Sequence, residues 1–174
     1  HVSFNRSDVK VDIIRNMDNL IGFPNDSVSA VYSSHTLEHA DFDKLEPTLR
    51  EWNRVLRPGG LVAISVPDLE NLARMYLDKN FSMVDRWQVT KMMYGGQIDK
   101  YDFHYAGFNE ELLTYILQRA NFCEIKRVRS FGLPMKDTSD TAFKNYWISL
   151  NMLAKVCEST KPRKKGKDRV EINL

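Results

Sequence analysis

The chain reads as an α/β protein: an open sheet of mostly parallel strands, helices packed against it, and an antiparallel strand at the end. Three observations predict this class. Ala30–Ser33 is a short strand, and the helix after it carries Leu45, Leu49, Trp52, Val55 and Leu56 at helical spacing. Arg57-Pro58-Gly59-Gly60 stops that helix, and Leu61–Val66 is apolar throughout, as a strand buried on both faces should be. The unit is a β-α-β crossover, so its two strands run parallel and the crossover is right-handed. Finally, Phe122–Phe131 and Tyr146–Val156 are strands joined without a helix, which predicts antiparallel pairing. In such a sheet ligands bind at the C-terminal strand ends, here Ser33–His39 and Pro67–Asp68.

The elements follow in order. Val2–Phe4 ends one strand, and Val9–Ile14 is a second, with Val9, Val11 and Ile13 alternating against Lys10 and Asp12. Gly22–Ser27 is rich in turn formers. Asp43 is the expected N-cap of the central helix, with Glu46 completing a capping box and Pro47 in the first turn. A helix after Asp68 sets Leu69, Leu72, Ala73, Tyr76 and Leu77 on one face, and a less regular helix covers Ser82–Met93. Tyr94–Tyr105 is a loop dense in aromatic and hydrogen-bonding side chains. Asn109 caps the next helix, Glu110 and Glu111 suit its dipole, and its buried face is Leu112, Leu113, Ile116, Leu117 and Ala120. Leu133–Asn145 is a loop. Tyr146–Val156 then places Tyr146, Ile148, Leu150, Met152, Ala154 and Val156 on one face. Trp52 and Trp87 are read as core, Trp147 as surface or interface.

Residues 1–157 form one domain in this reading, and 158–174 a basic, mobile tail. The tail, Lys161–Lys167 above all, lacks aromatic interleaving, so a solvated end is expected rather than a nucleic-acid contact. The chain starts at His1 in mid-pattern, and residues upstream are expected. A composition of 43% hydrophobic and 28% charged residues in 174, with net charge +2, is that of a globular domain and names no polyanionic partner. No apolar run reaches the roughly 18 residues of a membrane span. Cys123 and Cys157 lie far apart without metal-like spacing, so no metal is expected, and a reducing, cytoplasmic setting is.

Phe23–Val28, then Tyr32–His39 with Leu37-Glu38-His39, then Arg54–Gly60 with Leu56-Arg57-Pro58-Gly59-Gly60, resemble a class I S-adenosylmethionine-dependent methyltransferase of the type 11 group. Gly107-Phe108 and Ala120-Asn121-Phe122 resemble that group's closing segment. The resemblance covers about Val9 to Val156 and implies a Rossmann-like, doubly wound, three-layer sheet with an antiparallel last strand. It also implies a Gly-rich loop after the first strand and an acid at the end of the second; this sequence has neither, and Ser3 stands where the acid would fall. An upstream segment, a partner chain or a rearranged sheet would each account for the missing first strand, and the first is expected.

The resemblance places candidate sites residue by residue. Asn16 and Met17, with Asp18 as the acidic alternative, match the positions that frame the adenine. Ser33, Ser34 and His35 match the floor of the transfer site, where a structural reading would make the serines helix caps. Glu38 and His39 are read mainly as structural. Tyr94, Gln97, Tyr101, His104 and Tyr105 lie where the group covers its acceptor, and aromatic walls with few polar groups suit a sugar or hydroxylated metabolite. His35 and His104 are the catalytic candidates, with Asp102 as an orienter of His104. The expected function is methyl transfer from S-adenosylmethionine to a small molecule, S-adenosylhomocysteine being the product. The alternative is a non-catalytic binding or assembly module that has lost the cofactor loop. An incomplete sheet or an exposed edge on Tyr146–Val156 favours a homodimer.

Overall fold

The computed structural model describes residues 12–133 and 138–158. Its elements are β1 (Val28–Ser34), α1 (Phe42–Val55), β2 (Leu56–Pro67), α2 (Leu69–Leu77), α3 (Met83–Tyr94), α4 (Glu110–Arg119), β3 (Phe122–Val128), β4 (Ala142–Phe143), β5 (Tyr146–Trp147) and β6 (Ser149–Val156). Four strands make the sheet, in the order β1-β2-β6-β3, and β4 pairs with β5 in a separate hairpin. β1 and β2 are parallel, and β6 runs antiparallel to both β2 and β3. Three strands therefore point one way and β6 alone the other, as expected from the helix-free connection between the last two strands.

Register decides which residues meet the helices. Val62, Ile64 and Val66 share a face with their neighbours Leu150, Met152 and Ala154. That face packs on Leu45, Leu49 and Trp52 of α1 and Leu113 and Leu117 of α4, all buried. Each fully buried Leu or Ile side chain contributes about 1.5–3 kcal/mol, so this layer is the main source of stability. Ser65 and its partner Asn151 lie on the opposite face, where Asn151 Nδ2 donates to the carbonyl of Ser139 at 2.9 Å. A smaller core joins Leu72 and Met75 of α2, Phe81 of the α2–α3 connection and Val89 of α3 to the β4–β5 hairpin through Phe143 and Tyr146.

Several local expectations are corrected. β2 begins at Leu56, and Arg57–Gly60 bulge out of it, since Val28 pairs with Leu56 while Ala30 pairs with Leu61. Gly60 is required there: a Cβ would stand 2.7 Å from the Arg57 carbonyl oxygen. α1 starts at Phe42 behind Asp41, so Asp43 is not its cap, and Pro47 lies past the first turn. Glu46 instead binds Arg50 and, across the fold, Arg119 Nε at 2.7 Å. α2 buries Leu72 and Met75 and exposes Tyr76 and Leu77, and Trp87 of α3 is 60% exposed. Asp12–Ile14 pair with no strand, with Ile14 exposed, while Val2–Phe4 and Val9–Val11 lie outside the described residues, as does the tail from 159 on.

Tyr146–Val156 is not one edge strand. It breaks into β5 and β6, and β6 sits between β2 and β3 with both edges paired, which removes that ground for a homodimer. Among the described residues the free edges belong to β1 and β3. The same register overturns the reading of the cysteines. Cys123 pairs opposite Lys155 and so lies beside Cys157, with Cα atoms 5.3 Å apart, and the two form a disulfide. Separation in sequence says nothing about adjacency across an antiparallel pair, and the argument for a reducing, cytoplasmic setting loses its ground. No helix among the described residues is long and apolar enough to cross a membrane.

Candidate functional site

β1 ends in a change of backbone direction. His35 takes a left-handed conformation, φ 49°, while its N–H donates to the Ser65 carbonyl at 2.8 Å. The chain then makes a 3-10 turn over Leu37–His39. Leu37 anchors the turn in the core, which carries Glu38 inside with it: the Glu38 side chain is 0% exposed. The Glu38 carbonyl accepts from Tyr105 N at 2.8 Å and Ala106 N at 3.1 Å, so the turn holds the end of the 94–105 loop. That loop closes on itself through Gln97 N to Asp102 O at 3.0 Å and His104 N to Tyr94 O at 3.1 Å. Gly95, with φ 82°, permits the closure, because a Cβ there would collide with the Asp102 carbonyl.

Three histidines surround the Glu38 carboxylate. His35 Nδ1 lies 3.4 Å from Glu38 Oε1, and His104 Nε2 lies 4.0 Å from the same oxygen. The rings of His39 and His104 meet edge to face with centroids 4.9 Å apart. The hydrogen bonds fix the tautomers. His39 Nδ1 donates to the Phe103 carbonyl at 2.8 Å, and His104 Nδ1 to the Met92 carbonyl at 3.1 Å. Each neutral ring therefore keeps a bare Nε2. Ser149 spends its only hydroxyl proton on the Thr138 carbonyl, so it accepts from His35 Nε2 at 2.9 Å. His35 Nδ1 faces Glu38 Oε1 across 3.4 Å with no hydrogen bond between them. Burial lowers the His104 pKa below the ordinary 6.5; Glu38 pulls it up, and His39 pushes it further down.

A cleft of about 320 Å³ opens beside this cluster, lined by His35, Pro67, Gln88, Lys91, Asp102 and His104. The structure thus brings His35 and His104, 69 positions apart in sequence (104 − 35), to the lining of one cleft. Met92, not Asp102, orients His104; the Asp102 carboxylate accepts from Ile98 N at 3.3 Å. Tyr94, Tyr101 and Tyr105 are exposed, as is Gln97, and none of the four lines the cleft. Glu38, Gln88 and Lys91 are the site residues that sequence reasoning passed over or read as structural. An acid set between His35 and His39 was the available signal for Glu38, and one face of α3 for the other two.

The hydroxyls of Ser33, Ser34 and Ser65 are buried without a hydrogen-bond partner among the described residues. Orphaned donors at a C-terminal strand end fit a polar ligand group. Asn16, Met17 and Asp18 lie elsewhere. They form a turn closed by Asn19 N to Asn16 O at 3.1 Å, and the Met17 carbonyl accepts from Trp52 Nε1 at 2.8 Å, near the C-terminal end of α1. That end leads into the start of β2, whereas Ser33–His35 stand at the far ends of β1 and β2.

Comparison with known proteins agrees with the fold. Residues 3–64 match the family model described as "Methyltransferase domain". No curated protein matches the chain. A Burkholderia thailandensis 1,6-didemethyltoxoflavin-N1-methyltransferase, solved with 1,6-didemethyltoxoflavin and S-adenosylhomocysteine, is 19% identical with a TM-score of 0.50 over 84% of this chain and 50% of that one. An S-adenosylmethionine-dependent methyltransferase from Archaeoglobus fulgidus is 15% identical with a TM-score of 0.51 over 82% of this chain and 66% of that one. The chain spans 43% to 66% of the length of these and similar structures. Residues 3–64 are thus similar to the methyltransferase-domain family, and the Rossmann-like sheet is the fold shared with these solved structures.

Proposed function

We propose that the protein transfers a methyl group from S-adenosylmethionine to a small polar acceptor, a sugar or hydroxylated metabolite. The observation that carries this reading is the cleft lined by His35 and His104, with a bare His104 Nε2, in a chain whose residues 3–64 match a methyltransferase-domain model. The Burkholderia structure holds a small-molecule acceptor, 1,6-didemethyltoxoflavin, which supports a small molecule as the acceptor here.

S-adenosylmethionine supplies an electrophilic sulfonium methyl, so the protein's task is alignment and exclusion of water. Ser33, whose hydroxyl is buried without a partner among the described residues, is the group that would hold its polar end. The acceptor enters beside Gln88 and Lys91, and its hydroxyl proton passes to His104 Nε2. The Met92 carbonyl keeps His104 in the required tautomer, and Glu38, 4.0 Å away, attracts the imidazolium that forms. His35, tethered by Ser149, occupies the wall between strand end and cleft. Isothermal titration of S-adenosylhomocysteine into the full-length protein tests the reading. Binding that Ser33→Val weakens is the expected result, and no binding favours the non-catalytic module.

A further inference from the structure

We propose that Glu38, His39 and His104 form a binding site for a divalent transition-metal ion of the zinc type. This inference rests on geometry and not on the methyl-transfer reading. One ligand atom from each of the three residues lies within 4.8 Å of the others, the one such group among the described residues. A zinc ion with bonds of about 2.0–2.2 Å draws its ligand atoms to roughly 3.3 Å apart, a movement that rotation of the side chains supplies.

The electrostatics favour a cation at this point. Glu38 is 0% exposed, and neither carboxylate oxygen has a hydrogen-bond partner among the described residues. Buried carboxylates are normally paired, hydrogen-bonded or bound to metal. The histidines are already set as ligands. Each donates Nδ1–H to a main-chain carbonyl, Phe103 or Met92, which fixes ring orientation and leaves Nε2 bare, the outer-shell arrangement that metal-bound histidines use. The support is stiff, because the Glu38 carbonyl binds the main chain directly after His104. Two imidazoles and one carboxylate match zinc chemistry, with a fourth position left open. His104 also lines the cleft. An ion here takes the same lone pair that accepts a proton in the metal-free cluster, so the two occupancies exclude each other.

The test is titration of the chelator-treated full-length protein with Zn²⁺ by calorimetry and with Co²⁺ by visible absorption, without S-adenosylmethionine. Wild type, Glu38→Gln, His39→Ala and His104→Ala are compared, with His1 retained in all. One ion per chain, Co²⁺ ligand-field bands, and affinity at least about tenfold weaker in each variant are expected. No binding by wild type, or binding unchanged in Glu38→Gln and His39→Ala, overturns the proposal. Where a variant fails to fold, the wild-type melting temperature decides: a rise with Zn²⁺ that EDTA reverses supports the site, and no rise overturns it. Failure of S-adenosylhomocysteine to bind would leave this result untouched.

Discussion

At the N-terminal end of β1, Arg54 donates to Glu51, to the Phe23 and Leu20 carbonyls and to Asn25, while Glu51 also accepts from Leu20 N at 2.9 Å. At the C-terminal end, the Glu38 carboxylate and the hydroxyls of Ser33 and Ser34 are buried with no hydrogen-bond partner among the described residues. One strand thus runs from a fully satisfied polar network to an unsatisfied one. Satisfied networks specify structure, whereas buried groups left without partners cost stability and persist where a ligand or a reaction uses them.

Four experiments break or sharpen this contrast. The largest effect is expected at the unsatisfied end: His104→Ala should lower methyl transfer by about 10²–10⁴-fold while S-adenosylhomocysteine binding holds. Equal loss of both would assign His104 to binding instead. At the satisfied end, Trp52→Ala should lower unfolding free energy by about 3–5 kcal/mol in urea titrations, since it empties the α1 core and frees the Met17 carbonyl.

A paired comparison reads the contrast directly. Arg54→Ala should destabilise by about 1–3 kcal/mol, because it strands Glu51 and two carbonyls. Glu38→Gln should leave the urea midpoint unchanged or raise it, because it removes a buried charge without an ideal partner. A clear drop in Glu38→Gln would mean that the carboxylate holds the fold together. The smallest effect belongs to neither end. The Asp85 carboxyl is held down to about 2 by the Lys144 ammonium and then by Ser82. Its folded pKa lies below the ordinary 3.8, so its contribution to stability is complete above that pH and fades as pH falls towards 2. Asp85→Asn should flatten that part of the acid-unfolding profile.

Local pattern carried the β-α-β unit, the Asn109 cap and the antiparallel end, because caps, helical spacing and connection length act over a few residues. The Asn109 side chain does accept from Leu112 N, at 2.9 Å. Contacts that span the sheet were not legible. Cys123 meets Cys157 because β6 enters between β2 and β3, an insertion that no periodicity encodes. Trp87 is exposed because α3 packs through Val89, Met92 and Met93 instead. That His35 and His104 would share a cleft, with Glu38 buried beside them, was not legible.

By itself the sequence determined an open α/β sheet, the strand end where a site should form, and the residue types able to act there. Tertiary structure alone decided that Glu38 is buried among His35, His39 and His104, and that Asn16–Asp18 pack near the other end of α1. The physical reason is range: side-chain burial and hydrogen-bond satisfaction depend on which distant segments close over a residue, and those segments are chosen by packing across the whole sheet.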